Sequence, residues 1–515
     1  MKVLSTAQVK EADNYTITNE PILSIDLMER AASRAADWIM ENIGLDNDFV
    51  VFAGPGNNGG DGLVIARRLD KAMRDSKLSG VVTVYVVKFT DKFSPDFRTN
   101  LERLNRTNVR VVYLTEGDQM PLLEGHEIVI DAIFGSGLSR PVRGFPAKVI
   151  EHINQSPKQL TIAVDLPSGL FGEENHKEEQ TIIKADITLT FEFPFLSFFF
   201  PENQDYVGEF VVIPIGIHPD YIANAPTDYF TVEFEQIASM IKPRKKFSHK
   251  GNYGHGLLIA GSYGRMGAAV LAARAAHRAG IGLLTAHLPA KCVDVMQVSS
   301  PETMISIDQI SDSYSGYAEI NEKYTAIGFG PAVGLTREPA LLLDELISGK
   351  HSKPMVLDAD ALTIIAQHKW LDRLPGNTII TPHPKEFERI AGETSNNYQR
   401  LQLQRKIAKE HKIIVVLKGA YTSICFPHGK CYFNTTGNPG MAAGGSGDVL
   451  TGIILSLLAQ GYSPKEAALA GVYLHGLAAD IAADETGYHA LIPSDIINRL
   501  SEAYILLTEG DLLAD

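Results

Sequence analysis

The chain has 515 residues, more than one ordinary hydrophobic core accommodates, so two or more domains are expected. Apolar residues make up 45% and charged residues 21%, the balance of a soluble globular protein, and a net charge of −14 argues against a broad nucleic-acid footprint. The three cysteines, Cys292, Cys425 and Cys431, show no CxxC spacing; they support neither a zinc ribbon nor a disulfide framework, and buried or edge thiols of a reducing, cytoplasmic compartment are expected.

The N-terminal "MKVLSTAQVKEADNY" lacks the apolar run of a signal peptide. Residues 22–43 place Leu27, Ala31, Trp38 and Ile39 near one helical face. "DFVVFAG" then reads as a buried strand that stops at a glycine-rich turn, and "DGLVIARRL" continues as a helix. Strand-like runs follow at 81–87, 109–114, 127–135, 160–169 and 209–216. The most apolar run, 187–201, contains Glu192 and Pro194 and is short for a membrane span; it reads as a strand followed by an aromatic loop whose phenylalanines enter the core. Continuous apolar strands separated by helix-length segments indicate a parallel sheet covered on both faces.

The rhythm lapses between about 217 and 250, which puts a boundary near 230: a first domain over 1–228 and a second over 229–515. The alternation then restarts. "HGLLIAG" is a strand, "MGAAVLAARAAHRAG" a small-residue helix, and "YTAIGFGP", "PMVLDADA", "NTIITPHP" and "IIVVLKGA" are strands with chemistry at their C-terminal ends. Helices are expected over 447–460, 464–484 and 494–507. The second domain is again read as an open α/β sheet, and ligands bind such sheets outside the carboxyl ends of their strands.

Each domain carries a glycine-rich turn with one acid. In "GPGNNGGDG" (54–62) the glycines are expected to take positive φ and approach a ligand, and the following helix N-terminus offers free N–H groups to an anion. The Asn57, Asn58 and Asp61 oxygens exceed what a plain turn needs. Asp131 and Asp165 close neighbouring strands, with Ser168 three residues beyond Asp165. Carboxylates among Asn and carbonyl oxygens suit a hard cation, here a monovalent one; helix capping is the alternative for the two acids.

"GPGNNGGDGLVIAR", "DAIFGSGLSRPVRG" and "VDLPSGL" resemble the N-terminal epimerase domain of the bifunctional NAD(P)H-hydrate repair enzymes, over about residues 5–220. The resemblance implies a Rossmann-like domain. It also implies substrate contacts from Asn57, Asn58, Gly59, Gly60 and Asp61, from Gly135, Ser136, Gly137, Leu138, Ser139, Arg140 and Pro141, and from Asp165. It further implies potassium held by Asn58, Asp131 and Ser168. Asp165 is the acid/base candidate. The chain departs from the family's small acidic segment after "PSGL", where it has "FGEENHKEE".

In "GNPGMAAGGSGDVLTGI" (437–453), Gly445, Ser446 and Gly447 precede a helix whose first turn holds Asp448. Successive N–H groups and the helix dipole make an anion hole. A carboxylate there repels phosphate, which makes sense if it removes a proton from a substrate hydroxyl as a phosphoryl group arrives; an N-terminal dipole partner is the alternative. Lys418 is placed to meet a nucleotide phosphate, and His383 sits in a turn stiffened by two prolines, as a ligand contact or a buried structural histidine. Asp358 and Asp360 are read as magnesium or water ligands, or as caps.

"SHKGNYGHGLLIAGSYGRMGAA", "TPHPKEFERI", "LKGAYT" and "NPGMAAGGSGDVLTGI" resemble, in this order over about 235–505, the ribokinase-like dehydratase half of the same enzymes. Carried over, Ala268, Gly330, His383 and Asp448 contact the hydrated dinucleotide, and Lys418, Gly419, Ala420, Tyr421, Thr422 and Gly447 contact ADP. Ala443 stands where threonine is common. The resemblance implies epimerisation of R- and S-NAD(P)HX and ADP-dependent dehydration of the S form, with potassium in the first domain and magnesium in the second. A cytoplasmic homo-oligomer without nucleic-acid or membrane partners is expected. The rival readings are a ribokinase-type small-molecule kinase fused to a non-catalytic Rossmann-like module, and a scaffold of the kind found in RNA decapping.

Overall fold

Seven apolar runs of the first half become strands: β1 (Phe49–Ala53), β2 (Val82–Val87), β3 (Arg110–Leu114), β4 (Ile128–Ala132), β5 (Leu160–Val164), β6 (Ile187–Phe191) and β7 (Glu209–Ile213). The computed structural model describes residues 1–175, 180–348 and 351–509. Residues 176–179 of the "FGEENHKEE" segment lie outside them. The described chain divides into a unit over Lys2–Thr227 and a second from Asp228 onward, to which Met1 also belongs.

The first sheet has the order β3-β2-β1-β4-β5-β6-β7, with every pairing parallel. β1 lies between β2 and β4, and all five of its residues are buried. The order reverses between β1 and β4, so their carboxyl ends open a crevice between diverging loops. Phe193, Phe195, Phe198, Phe199 and Phe200 are all buried, in line with the aromatic loop expected after β6. The helix Ser24–Asn42 buries Leu27, Ala31 and Ile39, while Trp38 packs at the margin.

The second unit holds β8 (Tyr229–Thr231), β9 (His255–Ile259), β10 (Leu283–Leu288), β11 (Met304–Ile307), β12 (Ala326–Phe329), β13 (Met355–Leu357), β14 (Ile379–Ile380), β15 (Ile414–Leu417), β16 (Ser423–Cys425) and β17 (Cys431–Phe433). Their order is β11-β10-β9-β12-β13-β14-β15-β16-β17-β8. The sheet is mixed, since β16 runs antiparallel to both neighbours. β8 arises within the stretch that lacked rhythm; three residues are too few to show a period, and it is held by pairing with β17.

That hairpin also corrects the expectation of three free thiols. Cys425 and Cys431 are directly opposed across β16 and β17, with Cα atoms 4.2 Å apart, and they form a disulfide; Cys292 is a free, buried thiol. Antiparallel pairing brings opposed side chains this close, which the six-residue spacing alone does not reveal.

The small-residue helix Met266–Arg278 packs against the helix Ser446–Ala459. A Cβ on Gly452 would stand 2.1 Å from the Ala272 carbonyl oxygen, so their backbones meet directly. Ser446–Ala459 and the following Pro464–Thr486 are buried over most of their length. Among the described residues no helix is long and apolar enough to cross a membrane. Gly452→Ala is expected to force this crossing apart at a cost of about 1–3 kcal/mol, read as a lower denaturant midpoint; an unchanged midpoint would show that the crossing yields freely.

Candidate active sites

In the first unit, β1 ends at Ala53, and after Gly54, Pro55 and Gly56 the helix Asn57–Asp75 begins, with Gly56 at its N-cap making no side-chain hydrogen bond. Asn57 to Asp61 therefore form its first turns. None of the glycines from Gly54 to Gly62 takes positive φ, contrary to expectation. Gly54, Gly59, Gly60 and Gly62 serve packing instead: a Cβ on Gly59 would stand 1.8 Å from the Gly54 carbonyl oxygen. The turn is folded against its own helix, and only the absence of side chains permits it.

Asp131, at the end of β4, is fully buried. Its Oδ1 accepts from the Ser168 hydroxyl at 2.6 Å and the Ile133 N–H at 3.2 Å, and its Oδ2 accepts from the Ser168 N–H at 2.8 Å. Burial pushes its pKa up to about 6 against these bonds. The Ser168 hydroxyl accepts in turn from the Phe134 N–H at 2.8 Å. Asn58 donates through Nδ2 to the Phe134 carbonyl at 2.9 Å, while its buried Oδ1 has no partner. Asn58, Asp131 and Ser168 thus gather around one peptide, with an orphaned carbonyl-type oxygen among them.

Asp165 follows β5 with φ of +65°, a conformation that L residues adopt at a cost. Its Oδ2 accepts the Ser136 N–H at 2.9 Å, and burial raises its pKa. A Cβ on Gly135 would meet both Asp165 Oδ2, at 2.9 Å, and the Asn58 side chain, at 3.1 Å. Asn58, Gly135, Ser136 and Asp165 therefore converge. Asn57 is exposed at the helix start, and Gly59 and Gly60 are buried beneath it. Leu138 packs on the core, whereas Gly137, Ser139 and Arg140 run out to solvent and Pro141 is half-buried.

Asp61 faces the same place. Burial, then Asp165, Asp13 and Asp96, push its pKa well up. Asp13 was missed in the sequence, although a signal existed: Val9, Ala12 and Thr16 form the buried face of the helix Thr6–Asn19, and Asp13 stands among them at helical spacing. Burial and then Asp165 push Asp13 up to about 7.

In the second unit, Gly445 caps the helix Ser446–Ala459 with φ of +102°. Here the left-handed glycine is required, because the chain turns sharply from the 437–444 loop into the helix. Asp480 anchors that loop, accepting the Gly437 N–H at 2.8 Å and the Asn438 amide at 2.9 Å. The Ser446 hydroxyl lies 3.3 Å from Nε2 of His475. Burial, then the Lys418 charge, hold this histidine down at about 4, so it is neutral. Both supports escaped the sequence reading, since they lie on the apolar helix Pro464–Thr486, where polar residues read as core exceptions.

Lys418, at the end of β15, pairs with Asp358 at 2.9 Å, and the Thr451 hydroxyl donates to the other Asp358 oxygen at 2.9 Å. A Cβ on Gly447 would stand 3.2 Å from Lys418 Nζ, so this ion pair lies at the helix N-terminus. Burial, then Asp358, push Asp448 up to about 6, with Lys418 opposing them. The structure thus brings together Lys418, Gly447 and Asp448. Gly419, Ala420, Tyr421 and Thr422 form the adjoining turn, closed by the Thr422 hydroxyl donating to the Gly419 carbonyl at 3.0 Å. Ala268 is half-buried in the first turn of Met266–Arg278.

The buried alternative for His383 is overturned, and Gly330 gains a structural cause. His383 is neither buried nor free: its side chain is 47% exposed, and its Nδ1 accepts the Glu386 N–H in a capping box. Gly330 has φ of +130° because a Cβ there would stand 1.9 Å from the Asp358 carbonyl oxygen, so its close approach is to the backbone of the neighbouring strand end. Asp358 is committed to Lys418 and Thr451, Asp360 accepts the Gly334 N–H at 2.8 Å, and among the described residues no three His, Cys, Asp or Glu gather to hold a metal.

Residues 24–196 match the family described as YjeF-related protein N-terminus, and residues 256–502 match NAD(P)H-hydrate dehydratase. The chain is 36% identical to the bifunctional NAD(P)H-hydrate repair enzyme Nnr of Moorella thermoacetica, over 97% of this chain and 96% of that protein. It is 33% identical to the Thermofilum pendens enzyme of the same name, over 99% and 97%. The Escherichia coli enzyme is 30% identical, over 92% and 88%. A solved ADP/ATP-dependent NAD(P)H-hydrate dehydratase from Bacillus subtilis, co-crystallised with ATP and Mg2+, is 33% identical and covers 54% of this chain and 98% of its own, with a TM-score of 0.49.

A carboxyl raised in the folded state costs stability as pH climbs from its unfolded value to its folded one. For Asp13 that window runs from 3.8 to about 7, with the full cost above it. Asp13→Asn is therefore expected to stabilise the fold at pH 8 by on the order of 1–2 kcal/mol and hardly at pH 4; a thermal midpoint that falls at pH 8 would contradict the assigned environment.

Proposed function

The chain belongs to the family of bifunctional NAD(P)H-hydrate repair enzymes, and from that premise we propose that its first unit interconverts the R and S epimers of hydrated NADH and NADPH, while its second dehydrates the S epimer with ADP, giving AMP and phosphate. The observation that carries the second half is the position of Asp448, a carboxylate in the first turn of a helix whose N-terminus also faces the Lys418–Asp358 pair.

Hydroxide is a poor leaving group. Phosphorylating the C6 hydroxyl first lets the ring nitrogen lone pair expel phosphate, and loss of a proton from C5 then re-forms the ring double bond as the lone pair returns to nitrogen. In this reading Asp448 accepts the hydroxyl proton, and the N–H groups of residues 445–447 face the charge of the transferring phosphoryl group. Lys418, already seated by Asp358, meets the nucleotide phosphates, and residues 419–422 line the adenine nucleotide. Ala268 and Gly330 flank the dinucleotide. The half-exposed His383 ring borders it, with Nδ1 in the helix cap and Nε2 3.4 Å from a Glu386 carboxylate oxygen. Magnesium would arrive on the nucleotide phosphates rather than on a set of protein ligands, and no step is assigned to it.

In the first unit Asp165 is the proton-handling group, and Asn57 to Asp61 with Gly135 to Pro141 border the substrate. The Asn58, Asp131 and Ser168 oxygens fit a monovalent cation, because Asn58 Oδ1 is buried without a donor and Asp131 lies beside it without a positive partner. Potassium held there would supply positive charge beneath the 134–136 turn. The proposal places the enzyme in the cytoplasm, where reduced nicotinamide coenzymes turn over, and treats it as a homo-oligomer, which sedimentation at several concentrations tests.

The direct test is incubation of the protein with both epimers, with and without ADP, while following reduced-nicotinamide absorbance and phosphate. Recovery only with ADP, consuming both epimers, is expected; a stable phosphorylated product would indicate an ordinary kinase. Asp448→Asn should cut dehydration by about 100-fold or more and leave epimer exchange intact. Because Asp448 must be ionised, the dehydration rate should rise with pH through about 6 and level off above it. Asp165→Ala should slow epimer exchange, followed by chromatography, and spare dehydration of pure S epimer.

A further inference from the structure

A trans peptide points its N–H away from its C=O, so a group that grips a carbonyl also aims the next residue's N–H. The end of β9 is gripped in this way. Tyr314, whose side chain is fully buried, brings its hydroxyl to 2.9 Å from the Ala260 carbonyl oxygen and 2.8 Å from that of Gly261. On the far side of the first of these peptides, the Gly261 N–H donates to the Pro331 carbonyl at 2.7 Å, one residue beyond Gly330. The second peptide likewise turns the Ser262 N–H away from Tyr314. Ser262 is buried and its hydroxyl donates to the Ala332 carbonyl at 2.8 Å, yet among the described residues its N–H has no partner. A buried N–H left open in this way is rare unless something from outside fills it.

Resting on the dehydratase reading above, we propose that Tyr314 is a positioning residue of the second unit's site: by holding the Ala260 and Gly261 carbonyls, it aims the Ser262 N–H at a polar group of the hydrated dinucleotide. The stretch it controls borders that site. Gly261 takes φ of +80°, and the helix Met266–Arg278 begins five residues later. Between them, Arg265 Nη1 lies 3.7 Å from Asp360, which also accepts the Gly334 N–H beyond β12. A Cβ on Gly445 would stand 2.6 Å from Leu271 Cδ1, so this helix meets the turn that leads into Asp448.

Tyr314 lies outside regular structure, after β11, and a buried carboxylate fixes it there. Asp308 Oδ1 accepts the N–H groups of Ile310 at 2.8 Å and Ser315 at 2.9 Å. Its Oδ2 accepts the Ser315 hydroxyl at 3.1 Å and lies 3.0 Å from Nε2 of His287 on β10. The Tyr314 ring packs beside the His287 ring, with centroids 5.8 Å apart. Carboxylate, loop and tyrosine thus make a strut that runs from β10 and β11 to the end of β9. The turn at 418–422 follows β15, four strands from β9 in the sheet and on the side away from the strut. Releasing the strut therefore bears on the dinucleotide and leaves the adenine nucleotide alone.

The test is steady-state dehydration by the full-length Tyr314→Phe protein, which keeps the ring and loses the hydroxyl, measured well below its thermal midpoint. KM for the S epimer is expected to rise about tenfold, with KM for ADP within about twofold and epimer exchange by the first unit unchanged. A second measurement uses the unmodified protein. S-NADHX added without ADP, so that nothing turns over, is expected to slow amide hydrogen exchange at Ser262, whereas ADP alone is not. An unchanged KM for the S epimer, an equal rise in both KM values, or exchange at Ser262 that S-NADHX leaves untouched would each overturn the assignment. If Tyr314→Phe does not fold, the exchange measurement decides alone. If the unmodified protein recovers no reduced nicotinamide from the S epimer with ADP, the dehydratase reading falls; if it does and neither KM nor exchange responds as stated, this inference alone falls.

Discussion

A carboxylate carried into the interior at the end of a buried strand must be neutralised, bonded or protonated, and this requirement organises both sites. Asp131 is satisfied by three donors from Ser168 and Ile133. Asp358 is satisfied by an ammonium and a hydroxyl. Asp165 receives the Ser136 N–H and otherwise meets other acids. The first two acids hold structure, tying one strand end to the next. The third is left with unused acceptor capacity.

The two glycine-rich turns look alike in sequence and work differently. In the first, backbone crowding leaves no room for side chains, and the helix begins without any left-handed residue. In the second, a left-handed Gly445 swings the chain so that the helix N-terminus stands beside Lys418 and Asp358. Residues in sparsely populated conformations recur beside the chemistry: Asp165 in the first unit, Ala359 and Gly330 around Asp358 in the second. Surrounding hydrogen bonds fix these conformations, as with the Asp165 N–H donating to the Leu189 carbonyl at 2.8 Å.

The helix N-terminus at Ser446 rests on packing remote from it. Gly452 lets two helices touch backbone to backbone, which sets the height of Ser446 and Asp448. The neutral His475 steadies Ser446, and Asp480 tethers the loop that leads into Gly445. Preorganised N–H groups of this kind stabilise charge without reorganising when it appears.

The sequence by itself determined the seven strands of the first sheet and five of the ten of the second, because each of these is an apolar run ended by a turn, and it placed the acids at the carboxyl ends where parallel sheets put ligands; β8, β10, β11, β16 and β17 emerged only in the structure. It also identified the family, since several motifs fall in order along the chain. Only the tertiary structure decided the partners. Residues 418 and 358 are sixty positions apart, and which carboxylate the ammonium meets depends on β13, β14 and β15 lying side by side. The Cys425–Cys431 pairing depended on a hairpin of three-residue strands too short to show a period. That Asp13 shares a helix face with the buried Val9, Ala12 and Thr16 was likewise decided by packing, since a local pattern carries no information about what a face will meet.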